Sequence, residues 1–154
     1  MAGHWETVRT ALATKGFSAA LQTAGIRASD TKTDEFGMLP ALKWLLPDYE
    51  QGVITDAWQE PYRLTVPAEL LVAKPAGKKR SEPSVADLLR AIQIEWRIGH
   101  QLGLTAATPG GLNCTGSWFQ SARQGLAYYA DTDLDGARLT FVVDIREVLA
   151  AART

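Results

Sequence analysis

The spacing of apolar positions along the chain predicts mostly helix. Apolar residues recur every three or four positions in residues 5–21, 84–102 and 118–130, a period typical of amphipathic helices. The first of these segments contains a glycine, so it is predicted as one kinked helix or as two short ones. Two further apolar segments, residues 38–46 and 145–152, are also predicted to be helical.

Strand patterns are fewer and shorter. Residues 62–66 and 139–143 are rich in β-branched and aromatic side chains, and each is predicted as a strand. Residues 67–73 begin with proline and are predicted either as a short helix or as a continuation of the preceding strand. Together the segments predict an α+β fold, a single helix-rich domain with a small sheet of two to four strands.

The chain has 154 residues, a length that suits one domain. The predicted domain, residues 1–154, has three parts: a helical N-terminal part over 4–46, an exposed basic loop over 74–83, and an α/β C-terminal part over 84–154. The loop is predicted from its two prolines, its glycine and its basic cluster. The helix after it has a clear start signal, because Ser84 is followed three residues later by Asp87, as in a capping box.

Composition excludes several classes of protein. Hydrophobic residues make up 46% of the chain and charged residues 21%, which is typical of a globular domain and not of a disordered or fibrous chain. No segment is apolar and unbroken enough to span a membrane, and no apolar leader is visible. A cytoplasmic protein without a membrane partner is therefore expected. The single cysteine, Cys114, rules out an internal disulfide.

Charge is balanced overall but uneven along the chain. The formal net charge is −1, which argues against binding to free duplex DNA, since such binding depends on many basic side chains. Residues 30–60 carry a net charge of −5 and residues 74–97 a net charge of +3. These segments are either two solvated surfaces or a docking surface for a charged partner.

Candidate binding residues lie in the basic loop and among the five tryptophans. Lys78, Lys79 and Arg80 form a basic cluster, and Trp58 and Trp118 lie in polar sequence near the ends of predicted elements. Tryptophan is enriched where binding energy is concentrated, although tryptophan in the core is the simpler alternative. The sequence therefore predicts a small non-enzymatic binding module without a cofactor. It would be an inhibitor or accessory protein, of the kind encoded by phages or mobile elements, that docks on another protein or a protein–nucleic-acid complex.

A second hypothesis is a calcium-stabilised domain. Asp131, Asp133 and Asp135 alternate along the chain and are followed by Gly136, as at the start of a calcium-binding loop. The twelfth position of such a loop is occupied by Val142 in place of the usual glutamate. The alternative is an Asp-Gly turn that leads into a strand.

Three segments carry a resemblance to a known family. They are residues 116–123, GSWFQSAR, residues 127–130, AYYA, and residues 139–144, LTFVVD. Over residues 116–147 the chain resembles small ADP-ribosyltransferase-like domains. In these domains a strand that contains glycine and aromatic residues leads into a helix, and an apolar strand follows the helix.

This resemblance implies an enzyme that uses NAD. It implies that Arg63 lies on the first strand of the family and contacts the NAD phosphates. Ser117, or Ser121 in its place, would take the polar role after the second strand. Glu147 would be the catalytic glutamate that stabilises the oxocarbenium-like sugar. An NAD-dependent ADP-ribosyltransferase-like enzyme is thus the main alternative to the binding module.

Overall fold

The computed structural model describes residues 2–14, 27–29, 41–72, 84–96, 102–129 and 132–152. These residues form two helices, α1 (Ala2–Thr14) and α2 (Val85–Glu95). They also form six strands: β1 (Arg27–Ser29), β2 (Ala41–Trp44), β3 (Asp48–Gln51), β4 (Gln59–Val72), β5 (Leu112–Tyr129) and β6 (Thr132–Val148). No helix among the described residues has the length and apolar composition that crossing a membrane requires.

The strands form one sheet in the order β1-β2-β4-β6-β5, and β3 also pairs with β4. Strands β2 and β3 follow one another along the same side of β4, while β6 pairs with its other side over the whole length of β4. All pairings are antiparallel except that between β1 and β2. The sheet is therefore dominated by three long strands, with β6 between β4 and β5.

The hydrophobic core lies against one face of this sheet. Side chains alternate between the two faces along each strand, so every second residue of β4 and of β6 faces the core. The register places two of these core residues, Val66 and Phe141, opposite each other. The ring of Phe141 is surrounded by three others, with centroid distances of 4.9 Å to Trp44, 5.0 Å to Trp96 and 5.5 Å to Phe119. The helices cover this face with buried apolar side chains: Trp5, Val8, Ala11, Leu12, Leu88, Leu89 and Ile92.

The prediction of a helix-rich domain with a small sheet is wrong. The described structure is mostly antiparallel sheet, and the predicted N-terminal helical part contains strands β1 and β2. The largest single error is residues 118–130, which were predicted as helix and lie in β5 up to Tyr129. A register shift between Phe119 and Ser121 interrupts the two-residue alternation of this strand. Because of this shift, the apolar residues of the segment are spaced as in a helix, and the sequence pattern therefore predicts a helix in place of the strand.

Two other predicted helices are also strands. Strand β6 continues through the predicted closing helix as far as Val148, and β2 occupies Ala41–Trp44 of the predicted helix at 38–46. Both segments pair with β4, so long-range hydrogen bonding overrides their local helix preference. The open choice at residues 67–73 is resolved as strand up to Val72.

Strand β4 accommodates two prolines. The carbonyl of Pro67 accepts a hydrogen bond from Leu45 N–H, and that of Pro61 accepts one from Gly52 N–H. In an antiparallel strand both backbone groups of one residue point to the same side. The missing N–H groups therefore face the short strands β2 and β3 and the segments at their ends. The ladder to β6 is left complete, as the edge preference of proline requires.

Several short-range predictions are confirmed. The strands predicted at 62–66 and 139–143 lie inside β4 and β6. The predicted helix at 84–102 is confirmed over Val85–Glu95, and α1 confirms the first part of the helix predicted at 5–21. The predicted loop at 74–83 lies outside the described residues.

The capping box at the start of α2 is also confirmed, and it makes a testable contribution to stability. Ser84 Oγ accepts from Asp87 N–H, and the Asp87 carboxylate accepts from Ser84 N–H, both at 3.2 Å. We expect Ser84→Ala to lower the free energy of unfolding by about 1 kcal/mol, measured by urea denaturation. Ser84→Asp keeps a capping oxygen and is the control. Equal stability of the Ala and Asp variants would contradict a role for the cap.

Candidate functional site

The face of the sheet opposite α1 and α2, called here the outer face, carries the candidate site. The register brings Arg63 on β4 opposite Asp144 on β6, and it brings Thr65 opposite Val142. On the other side of β6, Trp118 of β5 lies opposite the same Val142. These residues alternate with core residues along their strands, so all of them belong to the outer face.

An ion pair fixes the centre of this face. Arg63 Nε donates to Asp144 Oδ1 at 2.8 Å, and its Nη2 donates to Oδ2 at 3.0 Å, which is a bidentate arrangement. The hydrogen bond and charge of Asp144, helped by the charge of Glu50 on β3, raise the pKa of Arg63 above its ordinary value. Both partners are partly exposed, so the pair contributes little to stability. It does hold the guanidinium in one orientation.

The same guanidinium holds an exposed tryptophan. Its central carbon lies 5.3 Å from the centroid of the Trp118 ring, within the range of a cation–π contact. Trp118 is 36% exposed, although the neighbouring Val142 is buried. Trp118, Arg63 and Asp144 therefore form a connected group on the outer face, which we call the Trp118 surface.

A cleft of about 370 Å³ adjoins this surface. It is lined by parts of β3, β4, β5 and β6 and the start of the segment after β3: Glu50, Gln51, Gly52, Val53, Pro61, Tyr62, Arg63, Thr115, Asp144, Ile145 and Arg146. Two carboxylates and two guanidinium groups lie among these residues, so the lining has no net formal charge. A cleft of this kind suits a partner that presents both polar and charged groups.

The other tryptophan predicted to bind is also exposed. Trp58 is 54% exposed. Its backbone is held on both sides, because its N–H donates to Asp56 Oδ1 at 2.8 Å and its carbonyl accepts from Leu149 N–H at 2.9 Å. The exposure of Trp58 and Trp118 is what the binding hypothesis requires, whereas Trp5, Trp44 and Trp96 are buried.

The residues implied by the family resemblance are not brought together. Arg63 lies on the outer face, and Ser117 is 1% exposed among the buried residues of the core face. Glu147 also lies on the core face, where its Oε1 is 3.3 Å from Nε2 of His4 on α1. Asp144 and Glu147 are three residues apart on an extended strand, so they point to opposite faces. Arg63 and Glu147 are therefore separated by the sheet and do not share a cleft.

The segment predicted to bind calcium has a different backbone conformation from the expected turn. Asp133 and Asp135 belong to β6 and pair with Tyr128 and Leu126, so the tight turn predicted for this segment is wrong over Thr132 to Gly136. Asp131 lies outside the described residues. Among the side chains that the structure describes, no three metal-binding groups come together.

The basic cluster Lys78, Lys79 and Arg80 also lies outside the described residues, and its role stays a prediction. The sequence does not predict Asp144 and Glu50 as neighbours of Arg63. Arg63 and Asp144 are 81 positions apart, and only the register of β4 with β6 brings them together. Local sequence offers no signal for such a pair.

No protein-family model matches this chain, and no curated protein matches it. The function of the Trp118 surface is therefore inferred from its geometry and chemistry.

Proposed function

We propose that the chain is a cytoplasmic, non-enzymatic binding module that docks on another protein through the Trp118 surface. The observation that carries the proposal is an exposed tryptophan held by an arginine that is itself held by a bidentate carboxylate. Tryptophan and arginine are the residues most enriched where interface energy is concentrated. An anchor that is already fixed loses less conformational entropy when it binds, which favours affinity.

The charges around the anchor support a protein partner. The carboxylates of Glu50 and Asp144 lie beside the guanidinium groups of Arg63 and Arg146 along the same cleft. Phosphate backbones are bound by surfaces with an excess of positive charge, and this surface has none. Mixed charges around an aromatic centre are the usual rim of a protein–protein interface.

The state of the candidate nucleophiles supports binding over catalysis. Burial raises the pKa of the Cys114 thiol to about 11, so at neutral pH it carries its proton and is a weak nucleophile. Ser117 is buried, and Glu147 lies on the face away from Arg63. Among the described residues, these groups do not meet on the outer face.

The test is affinity capture of the tagged protein from a bacterial lysate, analysed by mass spectrometry. We expect a stoichiometric partner that survives moderate salt, and we expect Trp118→Ala to weaken its capture at least about tenfold, as for a residue in the centre of an interface. Arg63→Ala is expected to act in the same direction, because it releases the ring.

The matched control is Ile94→Ala. Ile94 is an exposed apolar residue on α2, on the opposite side of the sheet, and its truncation is expected to leave capture unchanged. Melting temperatures of all variants verify that they remain folded. If Trp118→Ala and Ile94→Ala capture the partner equally well, the proposed surface is wrong. Trp58→Ala then shows whether the interface lies around Trp58.

A further inference from the structure

One edge of the sheet is open in the described structure. Strand β5 is 18 residues long and pairs with β6. Near its start, Thr105 bridges to Asn113, and backbone hydrogen bonds join the segment around it to Leu112 and Cys114. From Trp118 onward, no described residue pairs with the other edge of β5.

Exposure shows that this edge is accessible as far as Gln124, where its described side chains end. The five consecutive residues from Gln120 to Gln124 are all exposed. Because successive side chains on a strand point to opposite faces, a run of this kind means that both faces of β5 are uncovered at this position. Ala122, on the side of the sheet where the helices pack, is exposed with the others.

The open edge also lacks most of the features that prevent edge pairing. Natural sheets protect their edges with short strands, charges, prolines or bulges. Beyond the register shift that ends at Ser121, strand β5 pairs regularly with β6 as far as Tyr129. The segment 121–129, which we call the β5 edge, contains no proline and one charged residue, Arg123. The opposite edge is protected, because β1, β2 and β3 have three or four residues each and β3 carries Asp48 and Glu50.

We propose that the β5 edge pairs with the same edge of a second copy of the chain, in an antiparallel, two-fold dimer. An antiparallel edge is complementary to itself, since a two-fold axis places each exposed N–H opposite a carbonyl. The segment has the length of an ordinary strand or more. Charge does not oppose a second copy, because any register not centred on Arg123 keeps the two arginines apart and brings no other formal charges of the segment together.

This dimer goes beyond the proposed function and does not depend on it. Pairing of this kind continues the two sheets as one, so the outer faces of both copies lie on the same side. Two Trp118 surfaces would then face one partner assembly, and the second contact would form at a raised effective concentration.

The test is the mass of the protein in solution, measured by sedimentation equilibrium over a range of concentrations. We expect the mass to rise with concentration from 16.7 kDa toward twice that value. Gln124→Lys adds a charge to the β5 edge of both copies and is expected to raise the dimer dissociation constant about tenfold or more. Gln51→Lys adds the same charge at the opposite edge, on β3, and is expected to leave it unchanged.

A monomeric mass at every concentration would overturn the proposal. So would a dimer weakened by Gln51→Lys and not by Gln124→Lys. Hydrogen exchange gives a second measurement on the unmodified protein, because alternate amides of residues 121–129 must become protected as the dimer forms. Capture of a partner is measured with Trp118→Ala and dimerisation with Gln124→Lys, so failure of either proposal is recognised separately.

Discussion

Phe141→Ala is expected to lower the free energy of unfolding by about 3–5 kcal/mol. Phe141 is fully buried and lies on β6, which is paired on both sides, with β4 and with β5. Truncation removes a large apolar side chain from water-free surroundings and leaves a cavity that its neighbours fill only in part.

The position of Phe141 explains why this cost is at the upper end for a single substitution. Its ring meets Trp44 from β2, Trp96 from the end of α2 and Phe119 from β5, each at a steep angle. Pairs in this geometry add about 0.5–1.5 kcal/mol each beyond the area they bury. Loss of the Phe141 ring therefore weakens the packing of α2 on the sheet. It also weakens the side-chain packing among β2, β5 and β6.

Urea denaturation, monitored by circular dichroism, measures this loss in the free energy of unfolding. Phe141→Leu retains most of the volume and is expected to cost less than half as much as Phe141→Ala. Ile94→Ala removes an exposed side chain and is expected to change stability by no more than about 0.5 kcal/mol. A loss below about 1 kcal/mol for Phe141→Ala would show that the aromatic cluster is not the centre of the core.

The elements that could be predicted from the sequence are those specified by nearby residues. Helix α2 was predicted because its start signal is local, and Ser84 and Asp87 form the predicted cap. Strands β4 and β6 were recognised only over their β-branched centres. Their ends have weak local preferences and are strands because each pairs with the other over 14 residues.

The candidate site could be predicted only in part for the same reason. Trp118 was selected because an aromatic residue in polar sequence is a plausible surface anchor, and the structure shows it exposed. Its strand was mistaken for a helix, because the register shift after Phe119 disturbs the alternation that identifies strands. Arg63 was selected through a family resemblance, whereas its contact with Trp118 depends on two strand registers that no local pattern encodes.

Cys114 is expected to react with a thiol reagent about a hundredfold more slowly in the folded protein than in the unfolded chain. Cys114 is 5% exposed, and burial is the main cause that raises the pKa of its thiol from 9.0 to about 11. The charge of Asp144 acts in the same direction, while hydrogen bonds with Gly116 and Ser117 oppose it. A pKa higher by two leaves about one-hundredth of the thiolate at pH 8, and the thiolate is the reactive form.

The pH dependence has a definite sign. The folded-state pKa lies above the unfolded one, so the protonated thiol stabilises the fold fully below pH 9, and this contribution is lost as pH rises through about 11. Cys114→Ala is expected to reduce the fall in stability between these values, measured by urea denaturation at several pH values. The reaction rate in the folded protein should rise about tenfold per pH unit between pH 8 and 10, with the denatured chain as reference. A folded-state rate that levels off near pH 9 would mean an exposed thiol of ordinary pKa, and it would remove one of the observations that favour binding over catalysis.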